Sequence, residues 1–86
     1  MKTFLLKITT HNGDAFSDNV ISLSVRGTEG DLAVMAGHTP FITYLQAGEC
    51  KIVLEDGNEK LALIQGGTLV VSSEKTILLT GELDWQ

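Results

Sequence analysis

Disulfide stapling within this chain is excluded, because Cys50 is its only cysteine. A lone cysteine suits a reducing compartment and reads most simply as a small buried hydrophobe. No motif sets a base beside it for redox or nucleophilic work. Arginine is nearly missing as well. Arg26 is the single example, and six Lys and Arg stand against eleven Asp and Glu, for a net charge of −5. Scattered cations in an acidic chain argue against nucleic acid, whose phosphates reward clustered Lys and Arg, and against direct binding to anionic lipid. Long hydrophobic runs are missing too. Lys7 breaks the apolar start Phe4-Leu5-Leu6 well short of the ~7–15 residues of a secretory signal core. No stretch approaches the ~20 apolar residues of a membrane helix. The chain is therefore expected to stay in the compartment where it is made and to meet a membrane only through a partner.

Catalytic motifs are equally scarce. The phosphate cradle Gly-x-x-x-x-Gly-Lys-Ser/Thr does not occur, and neither does a Gly-x-Ser-x-Gly nucleophile elbow. His11 and His38 are the only histidines and lie far apart, so with one cysteine they make a dedicated zinc site improbable. His11 beside Asn12-Gly13 reads as a solvated turn residue. No catalytic residue, cofactor or metal site is expected.

What is present is a period of two. Phe4, Leu6 and Ile8 alternate with Leu5, Lys7 and Thr9. The same alternation recurs at Ile21/Leu23/Val25, Cys50/Ile52/Leu54, Leu61/Leu63 and Ile77/Leu79, in segments rich in Val, Ile, Leu and Thr. That is the strand signal. Turn residues interrupt it at Asn12-Gly13-Asp14, Thr28-Glu29-Gly30, Gly66-Gly67 and Ser73-Glu74-Lys75. Asp56-Gly57-Asn58 between two alternating runs is the strongest hairpin signal. Residues 1–86 are thus expected to form one all-β domain, an antiparallel two-sheet β-sandwich of about ten short strands. The stretch Met35 to Gln46 is least regular and leaves room for a short helical turn around Pro40. The expected core is Leu6, Ile8, Leu23, Val25, Ile52, Leu54, Leu63 and Leu79.

Hydrophobic residues make up 43% of a chain too short to hide them all. Leu5, Val20, Val53 and Leu78 fall on the opposite parity from the core set. Two explanations are open: strands apolar on both faces near the centre of the domain, or an outer sheet face covered by another protein. Two acidic clusters stand out. Glu55-Asp56 is explained by the hairpin tip. Glu29-Gly30-Asp31 places two carboxylates around a glycine, on one face if extended. A solvated turn accounts for it locally, and nothing predicts the pocket that acid–base work would need.

Taken in order, Thr28-Glu29-Gly30-Asp31-Leu32-Ala33-Val34-Met35-Ala36-Gly37-His38-Thr39-Pro40-Phe41, then Leu45-Gln46-Ala47-Gly48, then Ile64-Gln65-Gly66-Gly67-Thr68-Leu69-Val70-Val71 resemble the ε subunit of rotary ATP synthases (δ in mitochondria). The opening Leu6-Lys7-Ile8-Thr9-Thr10 agrees, and the likeness runs over residues 4–82. Ala36 stands where that family usually has proline, and Thr68 where it has an aromatic or aliphatic residue. The resemblance implies a non-catalytic rotor subunit of the central stalk, packed on the γ subunit and resting on the polar loops of the membrane c-ring. It couples ion transport to ATP synthesis in the larger F1 complex, without membrane insertion. For a bacterial member it implies a peripheral position on the cytoplasmic face of the inner membrane. It also implies contacts of Glu29, Asp31 and His38 toward the c-ring. Together with the outward parity of Leu5 and Leu78, it gives Leu5, Thr9, Thr10, Thr39, Phe41, Ile42 and Leu78 toward γ. The family commonly continues into two C-terminal helices. A chain ending at Gln86 is expected to couple rotation without restraining hydrolysis by helix extension and without binding ATP. The alternative is a lipoyl- or biotinyl-type carrier domain, for which Lys75 in Ser72-Ser73-Glu74-Lys75 is the only comparable lysine; the Gly-His-x-Pro element speaks against it.

Overall fold

A computed structural model describes residues 2–86. Seven strands carry the fold: β1 (Phe4–Thr10), β2 (Gly13–Gly27), β3 (Gly30–Met35), β4 (Phe41–Leu54), β5 (Glu59–Val71), β6 (Lys75–Leu79) and β7 (Leu83–Trp85). No helix occurs among the described residues. The all-β expectation holds, but the strands are fewer and longer than expected. β2, β4 and β5 have 15, 14 and 13 residues. The turn expected at Gly66-Gly67 lies inside β5, where it bends the strand instead of ending it.

Hydrogen-bonded neighbours run β1-β6-β5-β4-β2, and β1 also pairs with β2, so five strands close on themselves. β3 flanks β2, and β7 flanks β5. A closed ring with an odd number of strands cannot alternate direction at every step. One pair must be parallel, and here it is β1 with β6, from Leu5↔Lys75 to Thr9↔Leu79. The wholly antiparallel arrangement expected from the sequence is corrected on this point. The result is a five-stranded barrel with two added strands, sandwich-like in outline.

Short connections follow the turn chemistry. Asp56 accepts the Asn58 amide on Oδ1 at 2.9 Å, and Leu54 and Asn58 close the β4–β5 hairpin by an N–H···O bond of 2.7 Å. Gly57 supplies a φ of 91° at that tip. After β3 the chain makes a β-turn, with the His38 amide donating to the Met35 carbonyl at 3.2 Å. Pro40 then leads into β4, with no helical turn.

The core gathers Leu6, Ile8, Val20, Leu23, Val25, Val34, Leu45, Cys50, Ile52, Ala62, Ile64, Leu69, Val71 and Leu78. Of the eight expected core residues, Leu6, Ile8, Leu23, Val25 and Ile52 are buried and Leu54 is half-buried. Leu63 and Leu79 point outward, 44% and 43% exposed. Leu78 and Val20, expected on the outer face, are fully buried. The cause is a change of parity within the long strands. In β5 the inward set is Ala62 and Ile64 before the glycine pair, and Leu69 and Val71 after it. Its partner β4 changes in step, from Leu45 to Cys50 and Ile52. Gly66 and Gly67, at φ 100° and 149°, hold backbone angles that L-residues rarely adopt. A Cβ on Gly67 would also overlap the Leu79 carbonyl oxygen. In β6 the inward positions flanking Leu78 are threonines. Thr76 is buried, and buried Thr80 just beyond the strand donates its hydroxyl to the Gly66 carbonyl at 2.6 Å. An inward row of threonines hides the true parity from a reading based on apolarity.

Candidate functional site

The long strands give the barrel two unlike outer surfaces. On the first, the register aligns Tyr44, Thr68, Leu79 and Thr9 in one row across β4, β5, β6 and β1. Ile42, Val70, Ile77 and Lys7 form the next row. Val70 and Ile77 each sit between two buried neighbours, so strand alternation turns them outward. Ile42 and Tyr44 are 68% and 67% exposed. Six adjoining residues, Ile42, Tyr44, Thr68, Val70, Ile77 and Leu79, thus form a surface without a formal charge. Its border on β1 carries the Lys7–Asp14 ion pair at 3.6 Å. An apolar area of this kind meets the usual physical criterion for a candidate contact surface.

The residues assigned to the γ side distribute as follows. Leu5 and Ile42 are exposed, and Leu5 shares the outward parity of Lys7 and Thr9 on β1. Thr9 is half-buried in the Tyr44 row, with its hydroxyl donating to Asp14 Oδ1 at 3.1 Å. Thr10, also half-buried, closes the β1–β2 turn by donating to the Gly13 carbonyl at 3.1 Å. Thr39 is exposed, and its carbonyl accepts from His38 Nδ1 at 2.7 Å. Phe41 packs on the core and meets the His38 ring at 4.8 Å between centroids. Leu78 is corrected: it is core, and its neighbours Ile77 and Leu79 hold the outer face instead. Tyr44, Thr68, Val70, Ile77 and Leu79 carry no contact assignment from the sequence, which places Leu79 in the core. The signal that could have found part of this face is the continuous run Leu69-Val70-Val71, apolar on both parities.

The second surface is a mosaic of charge. Arg26 and Asp31 face each other across β2 and β3 at 3.5 Å, and Lys51 and Glu59 pair across β4 and β5 at 3.2 Å. All four are substantially exposed, so each pair is worth little to stability. Their effect is to neutralise one another. β3 is the edge of this surface, paired on one side only. Glu29 occupies the exposed β2–β3 tip and Asp31 the start of β3, while His38 follows its far end. Asp31 to Met35 alone is four rises of extended chain, about 13 Å. All three are exposed along one edge strand, with the carboxylates at one end and the imidazole at the other.

Cys50 is fully buried, and desolvation pushes its thiol from 9.0 up to about 11. It stays neutral and unreactive near neutral pH. Among the described residues no three His, Cys, Asp or Glu side chains gather into a set able to hold a metal ion. Lys75, the lysine weighed for a carrier role, begins β6, and its carbonyl and amide are bonded to Ser72 across the β5–β6 turn.

Comparison with known proteins bears on these surfaces. The "ATP synthase, Delta/Epsilon chain, beta-sandwich domain" family model matches residues 3–86. The chain is 36% identical over 84 residues to the "ATP synthase epsilon chain, sodium ion specific" of Acetobacterium woodii, covering 98% of this chain and 63% of that protein. It therefore spans less than two thirds of that relative. A chain of the Euglena gracilis mitochondrial ATP synthase, solved as OSCP/F1/c-ring in rotational state 1, superposes with a TM-score of 0.91 at 24% identity, over 96% of this chain and 53% of that one. A chain from the central stalk and c-ring of the Tetrahymena thermophila mitochondrial ATP synthase gives 0.77 at 15% identity, over 95% and 66%. At those identities the two structures speak for the fold. The family match leaves the carrier alternative without support, and this chain belongs to the β-sandwich domain family of the ATP synthase delta/epsilon chains.

Proposed function

We propose that this chain is a rotor subunit of the central stalk of a rotary F-type ATP synthase, joining the γ subunit to the c-ring. It transmits rotation and does no chemistry itself. The observation that carries this reading is the charge-free face of Ile42, Tyr44, Thr68, Val70, Ile77 and Leu79. Apolar contact adheres without regard to direction, as a joint under torque requires, and a closed barrel resists shear better than a lone helix. γ occupies this face, with Leu5, Thr9, Thr10, Thr39 and Phe41 at or near its margin. The edge strand β3 lies toward the ring, where Glu29 and Asp31 pair with basic groups on the polar loops and fix orientation more than affinity. His38 adds a second contact at the other end of that edge. The two-layer sandwich description suits this placement, with one layer given to each partner. Residues 1–86 act as one domain, held peripherally by the complex at the cytoplasmic face of a bacterial inner membrane.

The test is co-purification with γ and with the c-ring, using the wild-type chain, Leu79→Glu and Glu29→Lys/Asp31→Lys. Leu79→Glu is expected to lose γ while remaining folded, and the double charge reversal to weaken ring association alone. Retention of γ by folded Leu79→Glu would refute the face assignment.

A further inference from the structure

Outside both surfaces, the last strand is attached in an unusual way. β7 is joined to β5 at only three positions, Ala62↔Trp85, Leu63↔Asp84 and Ile64↔Leu83, extended by the Gln86 amide donating to the Leu61 carbonyl at 2.8 Å. It is no part of the closed five-strand circuit. What fastens its end is a stack of side chains. The Lys60 ammonium lies 4.6 Å from the Trp85 ring centroid and 5.9 Å from that of Phe16. The two rings are 6.0 Å apart, inclined at 55°. One cation therefore ties β7 to β2 and β5 together, through the electron-rich faces of both rings.

The chain just before β7 behaves oppositely. Thr80 is buried, donates its hydroxyl to the Gly66 carbonyl at 2.6 Å, and gives its amide to Thr9 at 3.0 Å. Gly81 follows, exposed, with open space where a Cβ would stand. The segment is thus anchored in the barrel at Thr80 and tied to the β1–β2 turn at Gly81, whose carbonyl accepts from the His11 amide at 3.4 Å and from the His11 ring. It is bridged at Glu82, where Oε2 accepts from Gln65 Nε2 at 3.3 Å, and fastened again at Trp85. We infer that β7 is a strap, opening and closing on the barrel as a unit beyond the His11–Gly81 tie, with Lys60 as the pin that holds its far end shut. Opening breaks the β5 pairing and withdraws Leu83 from its place against the core, yet leaves all five circuit strands paired. It bares the β5 edge from Leu61 to Ile64. This inference does not depend on the proposed coupling role.

Hydrogen exchange on the intact 86-residue chain, read by mass spectrometry, tests it. Lys60→Met keeps the aliphatic length and removes the cation. Its loss should speed exchange at residues 83–86 about two- to fivefold, the range corresponding to one exposed cation–π contact, while amides of the β1–β6 pairing stay at wild-type rates. Emission of Trp85, the only tryptophan, should move to longer wavelength, and Lys60→Arg should restore both readouts. Unchanged exchange at residues 83–86 in Lys60→Met would overturn the pin. Acceleration shared equally by β1 and β6 would overturn the strap, since β7 would then open only with the whole barrel.

Discussion

Adjacent leucines on β6 give the sharpest test of how the barrel is built. Leu78 is fully buried, whereas Leu79 is 43% exposed. Truncating a buried leucine to alanine removes its transfer free energy and leaves a cavity, at a cost of about 2–5 kcal/mol. Full burial of a leucine is worth about 1.5–3 kcal/mol, so partial exposure brings Leu79→Ala down to about 1 kcal/mol. Native domains hold about 0.05–0.15 kcal/mol per residue, so about 4–13 kcal/mol is the whole reserve of an 86-residue chain. Leu78→Ala should therefore consume a large part of it. With a urea slope near ~1 kcal/mol per molar for so small a domain, the midpoint should fall by about 2 M or more for Leu78→Ala and by about 1 M for Leu79→Ala. Urea titration followed by far-UV circular dichroism reads both. Equal losses, or a larger loss at Leu79, would show that β6 sits with the opposite face inward, and the charge-free surface would lose its central member.

Further expectations follow from other positions. Gly67→Ala should cost about 1–3 kcal/mol for the backbone angle and a similar ~1–3 kcal/mol for overlap with the Leu79 carbonyl, lowering the thermal midpoint sharply; a near-wild-type midpoint would refute the close approach. Because burial raises the Cys50 thiol from 9.0 to about 11, the folded state resists an ionisation that the unfolded chain undergoes. Its stabilising share is complete below pH 9 and is lost as pH climbs toward about 11, by about 2–3 kcal/mol, so Cys50→Ala should show a flatter stability profile across that window in parallel urea titrations. Glu29→Lys/Asp31→Lys should change stability by under about 0.5 kcal/mol while lowering the ATP made per ion translocated in reconstituted vesicles. An unaltered ratio would remove both carboxylates from the coupling role.

The all-β class was legible in the sequence because period-two alternation and turn residues act locally. So was the hairpin at Asp56-Gly57, where the Asp56 side chain builds the turn by itself. Strand faces were harder to read. Leu63 looked inward because it belongs to an alternating set, but Gly66 and Gly67 reverse the parity of β5 in mid-strand, and only pairing with β4 and β6 reveals it. Leu79 misled for a related reason: the inward row of β6 includes Thr76, whose burial depends on neighbours distant in sequence. Glycine pairs signal a break equally well whether a strand ends or bends. Of the proposed interaction surface, the family-like run from Thr28 to Phe41 marked the β3 edge and the entry to β4. The residues that complete the charge-free face come from β5 and β6, and lack any motif of their own.

The parallel pairing of β1 with β6 has a consequence for how the molecule is made. The first strand begins at Phe4, and the strand that closes the ring against it ends at Leu79. During synthesis, β1 can form a hairpin with β2 early, but its second edge stays unpaired until nearly all the domain has left the ribosome. Hairpins assembled from the middle of the chain carry an open edge for the same interval, and open edges are where nascent β chains associate wrongly. Ring closure across so long a sequence separation is also slow, because the entropy of looping is lost before the ladder forms. A ribosome stalled before β6 emerges should therefore display a chain that is protease-sensitive and chaperone-bound, and a few residues more of translation should convert it to a resistant one.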